Sequence, residues 1–258
     1  MKTNGGSTQQ HSSPAVRWLG ATAVAAAALM GPQAAGLAEA EPAVTVAAAN
    51  PVCPDVEVVF ARGTFEAPGI GDTGQAFVDA LSSRLAGQTV QTYGVNYPAS
   101  LDFGAAAAGV ADASSKVESI AASCPNTKVV LGGYSQGAAV AGYTTFAAVP
   151  AGITLPSGTG PMPPAVASHV AAVVLFGTPD DWFLHLVDNS APSITVGPLY
   201  TAKTLQLCAT GDPVCFPGGL DRSAHSSYQS NGMADQAADY VVNALGAASP
   251  TQTANARA

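Results

Sequence analysis

Residues 129–140 read VVLGGYSQGAAV. An apolar run ends in two glycines, one serine (Ser135) stands among small neighbours, and a glycine and two alanines follow at once. Valine-rich runs favour strands and alanines favour helices, so Ser135 falls on the turn between the two. Gly133-Tyr134-Ser135-Gln136-Gly137 fits the pattern G-x-S-x-G, in which small flanking residues let a strained strand-to-helix turn hold a serine hydroxyl above a sheet edge. A tight glycine turn with no further role is the plainer reading of the same five residues.

The segments on either side supply the context. VEVVFAR (56–62), TVQTYGVNY (89–97) and KVVLGGY (128–134) read as strands, separated by the helical stretches DTGQAFVDALSSRLAG (72–87) and AAAAGVADASSKVESIAAS (105–123). QGAAVAGYTTFAAV (136–149) continues as a helix, HVAAVVLFG and KTLQLC supply two more strands, and MADQAADYVVNALG (233–246) closes the chain as a helix. Strands alternating with helices form βαβ units, so the fold class is α/β, a five-stranded parallel sheet with helices on both faces. Ligand sites in such sheets form beyond the carboxyl ends of the strands. The Pro/Gly-rich segment 150–168 follows a helix and precedes a strand, which puts it at the opposite edge and argues against a lid.

The chain has 258 residues, 48% hydrophobic and 10% charged, enough to bury one sizeable core. A net charge of -8 excludes a nucleic-acid-binding surface. Lys2 and Arg17 precede the apolar run WLGATAVAAAALMG and the small-residue site AEA at 38–40. That is the order of a secretory signal, and the run is too short to span a bilayer, which takes about 20 apolar residues. The expected organisation is a signal peptide over 1–40, an Ala/Pro-rich leader over 41–52, a catalytic-size domain over 53–246 and a disordered tail over 247–258. Cleavage after Ala35 or Ala49 fits equally well. The four cysteines, Cys53, Cys124, Cys208 and Cys215, argue for two disulfides in an exported protein. Because Cys208 and Cys215 bracket only ATGDPV, the favoured pairing closes that loop and leaves Cys53 with Cys124. No CxxC, HExxH or histidine cluster points to a metal.

A serine hydroxyl is a weak nucleophile and needs a base, itself oriented by a carboxylate. His225 sits in DRSAHSSYQSNG, a polar loop after the last strand and before the closing helix, whereas His169 opens a strand at the wrong edge and His185 lies in an amphipathic segment. In the order Ser…Asp…His, Asp212 follows a strand inside the small cysteine loop. Asp180 and Asp181 are its rivals, and Asp221 reads as a solvated charge. An oxyanion formed in acyl transfer needs donors: the N–H of Gln136, at a helix N-terminus, and Thr64 in FARGTFEAPGIG.

With FARGT, GGYSQG, CATGDPVC and AHSSY in this order from Cys53 to the closing helix, the chain resembles the cutinase family of secreted serine esterases, in particular its mycobacterial and actinobacterial members. The resemblance implies a small lidless α/β-hydrolase with Ser135 as nucleophile, Asp212 as orienting acid and His225 as base. It implies an oxyanion hole from the N–H and hydroxyl of Thr64 and the N–H of Gln136, disulfides Cys53–Cys124 and Cys208–Cys215, and no cofactor or metal. Fungal members support the oxyanion residue with an asparagine, for which NYPASLDFG shows no equivalent. Leu101 and Phe103 on one side, with Phe216 and Leu220 on the other, suit an apolar substrate rim, or else ordinary local packing. The expected partners are ester, lipid or polyester substrates, with transient contact to a lipid surface. The protein is expected to be an extracellular or cell-wall-associated monomer. A catalytically silent binding protein of the same fold is the alternative from another class; acetylxylan esterase and phospholipase are alternatives within the same machinery.

Overall fold

The computed structural model describes residues 52–246. The signal peptide expected over 1–40, the leader up to residue 51 and the tail over 247–258 lie outside the described residues. Five parallel strands form one sheet in the order β2-β1-β3-β4-β5: β1 Val56–Ala61, β2 Val90–Gly94, β3 Lys128–Tyr134, β4 Val170–Phe176 and β5 Thr204–Leu207. The helices are α1 Gly71–Arg84, α2 Ala106–Ser123, α3 Gln136–Thr144, α4 Asp181–Val187, α5 Arg222–His225 and α6 Met233–Ala244.

Side chains alternate across a strand, so apolar residues at consecutive positions load both faces of the sheet. Val59 and Ala61 of β1, with Val173 and Leu175 of β4, enter one core together with Val110, Ala113 and Val117 of α2 and Val140 of α3. Val58 and Phe60, with Val174 and Phe176, enter the other, against Phe77 and Leu81 of α1 and Ala237 and Val241 of α6. Near-continuous apolar strands of this kind mark a parallel sheet covered on both sides. Two disulfides tie its ends: Cys53–Cys124 joins the entry to β1 to the end of α2, and Cys208–Cys215 closes a short loop after β5.

Two elements are shorter than the pattern predicts. The strand expected over 89–97 leaves the ladder after Gly94, because the carbonyls of Val95 and Tyr97 accept from the Arg62 guanidinium instead. The helix expected over 136–149 stops at Thr144: Thr144 Oγ1 bonds back to Val140 O, Thr145 Oγ1 to Gly142 O, and Thr145 Oγ1 also accepts from Gly197 N–H at 2.9 Å. Hydroxyls that bond the backbone in this way compete with helix continuation.

The turn between β3 and α3 is the tightest place in the fold. Ser135 has φ 56° and ψ −119°, a conformation that costs on the order of 1–3 kcal/mol in a residue with a Cβ. A Cβ on Gly133 would lie 2.0 Å from Gly137 O, and one on Gly137 would lie 1.9 Å from Ala61 O. The first turn of α3 therefore rides directly on the end of β1. Gly137→Ala is expected to cost about 2–3 kcal/mol, lowering the midpoint of thermal unfolding by roughly 5–10 °C. Gly160→Ala, where nothing lies within 4 Å, should stay within about 0.5 kcal/mol. Equal effects in the two variants would refute the contact as a constraint.

Candidate active site

Loops at the carboxyl edge of the sheet bring three distant side chains together. Ser135 stands where β3 meets α3, and its N–H donates to Phe176 O at the end of β4. His225 ends the short helix α5, which Asp221 caps by accepting from Ser223 N–H at 2.9 Å. Asp212 lies within the Cys208–Cys215 loop and is fully buried. His225 Nε2 is 2.8 Å from Ser135 Oγ, and His225 Nδ1 is 2.8 and 2.9 Å from the two Asp212 oxygens. With Asp212 ionised, Nδ1 carries the proton and Nε2 accepts from the serine hydroxyl.

A buried carboxylate survives only with donors around it. Burial opposes the charge on Asp212, but the bonds from His225, Tyr228 and the Val214 N–H outweigh it and hold the carboxyl below its usual range. The Tyr228 hydroxyl donates to Oδ2 at 2.5 Å and Val214 N–H donates to Oδ1 at 2.8 Å. Tyr228 is itself fully buried and accepts from Ala209 N–H at 3.1 Å. Sequence reasoning assigned this tyrosine no role, although a lone aromatic in the polar run DRSAHSSYQSNG was a signal that the loop folds inward. Tyr134 grips the same loop, its hydroxyl donating to His225 O at 2.6 Å and its ring 5.1 Å from the imidazole.

The rival residues are placed elsewhere. Asp180 caps α4 by accepting from Phe183 N–H at 2.8 Å, and Asp181 is exposed in the first turn of that helix. His169 precedes β4 at the opposite sheet edge, and His185 is exposed on α4 with its Nδ1 at Asp181 O. Cys208, Asp212 and Cys215 form a cluster of metal-ligand types, but both sulfurs belong to the disulfide and offer no thiolate.

Gln136 follows Ser135 at the start of α3, and Thr64 lies in the turn after β1. Arg62 sets the turn before Thr64: its guanidinium donates to Glu66 O, Val95 O and Tyr97 O, while the Tyr97 hydroxyl donates to Arg62 O. The Glu66 carboxylate accepts from the N–H groups of Gly63 and Asp72 at 2.5 and 2.9 Å. These two charged residues were not singled out for that role in the sequence. Among the described residues, no protein acceptor takes the N–H of Thr64 or of Gln136. The buried Gln136 side chain donates to Ser100 O at 2.9 Å, which ties α3 to the loop after β2.

Gln136 also lines an apolar pocket. The pocket walls come from Phe103 and the start of α2, from Ala139 and Tyr143 of α3, and from Phe183 of α4. Phe103 thus lies in the wall, while Leu101, Phe216 and Leu220 are exposed and lie outside it. Segment 150–168 does not keep wholly to the far edge as expected, because Gly152, Ile153 and Thr154 also line the pocket. With α3 only nine residues long, the chain turns back early, and Gly152 packs close to Ser190 O beyond α4. The Ser135, His225 and Asp212 arrangement can pass a proton from the serine hydroxyl to the imidazole, and among the described residues the N–H groups of Gln136 and Thr64 stay open as donors.

The cutinase family model matches residues 52–245. Carboxylesterase Culp1 of Mycobacterium tuberculosis is 49% identical over 194 residues, which cover 75% of this chain and 82% of that protein. Phospholipase Culp4 of the same species is 45% identical over 215 residues, covering 82% and 89%. Among solved structures, Trichoderma reesei cutinase in complex with a phosphonate inhibitor is similar at 33% identity and a TM-score of 0.55, covering 76% of this chain and 78% of that one. On the strength of this match, which runs from the entry to β1 to the end of α6, the chain belongs to the cutinase family.

Proposed function

We propose that the chain, a serine ester hydrolase, works through an acyl-enzyme on Ser135, with His225 as general base and Asp212 as the group that orients it. The observation that carries this reading is the unbroken line from the buried Asp212 carboxylate through the imidazole to Ser135 Oγ, all at 2.8–2.9 Å. His225 Nε2 takes the serine proton as Oγ attacks the ester carbonyl carbon. The oxyanion accepts from the N–H of Gln136 and from Thr64. On collapse, the imidazolium protonates the departing alcohol; water, deprotonated by the same imidazole, then releases the acid and restores the serine.

Tyr228 acts through Asp212 as a positioning residue. Its hydroxyl holds one carboxylate oxygen while His225 Nδ1–H holds the pair. Short- to medium-chain esters or lipid and polyester substrates are the substrate class, supported by the apolar pocket that Gln136 lines and by relatives named as a carboxylesterase and a phospholipase. The expected extracellular or cell-wall location is supported by the leader pattern and by two disulfides, which persist in oxidising compartments. No helix among the described residues is long and apolar enough to cross a membrane.

Ser135→Ala should lower kcat on p-nitrophenyl butyrate by on the order of 10⁴ or more, with the unfolding midpoint unchanged, and should abolish labelling by a fluorophosphonate. Full turnover in that variant would refute the mechanism, and an unlabelled wild-type serine would favour a catalytically silent protein of the same fold. Tyr228→Phe removes a donor that helps hold the Asp212 carboxyl below its usual range, so Asp212 should take up a proton at higher pH. The acidic limb of the kcat/KM profile should therefore move to higher pH, and kcat should fall by about tenfold. A change in KM alone, with the limb in place, would reduce Tyr228 to a space-filling role.

A further inference from the structure

Among the described residues, three that are not glycine have a positive φ: Phe65, Ala99 and Ser135. The close packing of Gly133 and Gly137 accounts for Ser135. The other two are joined to each other, because Phe65 N–H donates to Ala99 O at 2.7 Å. Residues with a Cβ enter this region rarely and stay there only where the surroundings over-determine them. Packing of the Phe65 ring does little of this, since the residue is 73% exposed. Its backbone completes a turn instead: Gly63 O accepts from Glu66 N–H at 3.3 Å, and a positive φ at the third residue alone fits a type II turn. Of the four N–H groups in this turn, that of Gly63 donates to Glu66 Oε2, that of Phe65 to Ala99 O and that of Glu66 to Gly63 O. The N–H of Thr64 is the one left without a protein acceptor among the described residues.

The same segment reaches α3. Gln136 Nε2 donates to Ser100 O at 2.9 Å, and Ser100 directly follows Ala99. Two consecutive carbonyls therefore hold the residue after Thr64 and the residue after Ser135. The segment is itself fastened: Ala99 is buried, and Tyr97 exchanges hydrogen bonds with Arg62, its hydroxyl donating to Arg62 O while its carbonyl accepts from Arg62 Nη2. Gln136 is 3% exposed, and its Oε1 has no protein partner. A buried acceptor left unpaired is unfavourable, so stability alone does not account for a glutamine here. We propose that residues 99 and 100 set the spacing of the two oxyanion donors, with the Gln136 side chain as a positioning residue for its own N–H relative to that of Thr64. The proposal rests on the oxyanion reading above. With both donor residues tied to one short piece of chain, their N–H groups are fixed relative to each other before substrate arrives, the condition under which such donors favour a developing charge most.

The test compares p-nitrophenyl butyrate with its thiono analogue, in which sulfur, a weak hydrogen-bond acceptor, replaces the carbonyl oxygen. Each rate is divided by that of the same ester with hydroxide, and active sites are counted by fluorophosphonate titration. The wild-type protein should prefer the oxygen ester. Gln136→Met keeps the backbone N–H and the side-chain length but removes both the donor to Ser100 O and the unpaired acceptor. Its unfolding midpoint should hold or rise. On the oxygen ester kcat should fall by about tenfold, and the oxygen-to-sulfur ratio should fall with it, while KM and the acidic limb of the pH profile stay in place. Gln136→Leu, also without a donor, should move the ratio in the same direction. The proposal is overturned if both variants keep the wild-type ratio, whether kcat is unchanged or is lost together with the unfolding midpoint. A wild-type protein with no preference for the oxygen ester would instead strike at the oxyanion reading, and this inference would fall with it.

Discussion

The close approach of two backbones governs the site. Where α3 starts, Gly137 lies against the carbonyl of Ala61 at the end of β1, and Gly133 lies under the carbonyl of Gly137. No side chain fits in either place, so the turn between them is compressed and Ser135 is driven to a positive φ. That strain serves two ends. It lifts Oγ clear of the sheet, and it leaves the first N–H of α3 without a protein acceptor among the described residues, free to serve as the oxyanion donor of the proposed mechanism. The sheet carries the strain because β1 and β3 are paired along their whole length, from Val56 with Lys128 to Ala61 with Gly133.

A second constraint is electrostatic. Asp212 is fully buried and ionised, a state that burial alone forbids. Its surroundings are therefore built around it: the short disulfide loop fixes its backbone, while Val214, Tyr228 and His225 supply donors to its two oxygens. Each of these groups also anchors something else. Tyr228 accepts from Ala209 N–H, and the His225 carbonyl accepts from the Tyr134 hydroxyl. The imidazole is consequently held between the Asp212 carboxylate and Ser135 Oγ by bonds reaching β3, the loop after β5 and the segment after α5.

Around this polar line the fold arranges opposite media. Ser135, His225 and Asp212 are joined by hydrogen bonds, and Arg62 and Glu66 bond the backbone of the turn after β1. The pocket that Gln136 lines is otherwise walled mainly by alanine, valine, phenylalanine and proline. The short α4 contributes to the apolar half and is fixed at its start by Asp180, the residue that competed with Asp212 for the acid's role in the sequence.

Features carried by local pattern were legible in the chain itself. Valine-rich runs spaced by helical periods announced a parallel sheet with two covered faces, and glycines at fixed offsets announced the turn at Ser135. A histidine and an aspartate in loops after the last strand narrowed the partners to His225 and Asp212, because few residues of either type follow a strand. What tertiary structure alone decided involves contacts between segments far apart in sequence. Ser135 and His225 are separated by 90 positions, and no period relates them. Tyr228 became a third partner of Asp212 only because its loop folds inward. The pocket took walls from α2, α3, α4 and the segment after α3, so that Ile153 joined it while Leu220 did not. Periodicity records which face of an element is buried; which distant element covers that face is settled only when the sheet edge, its loops and their charges are packed together.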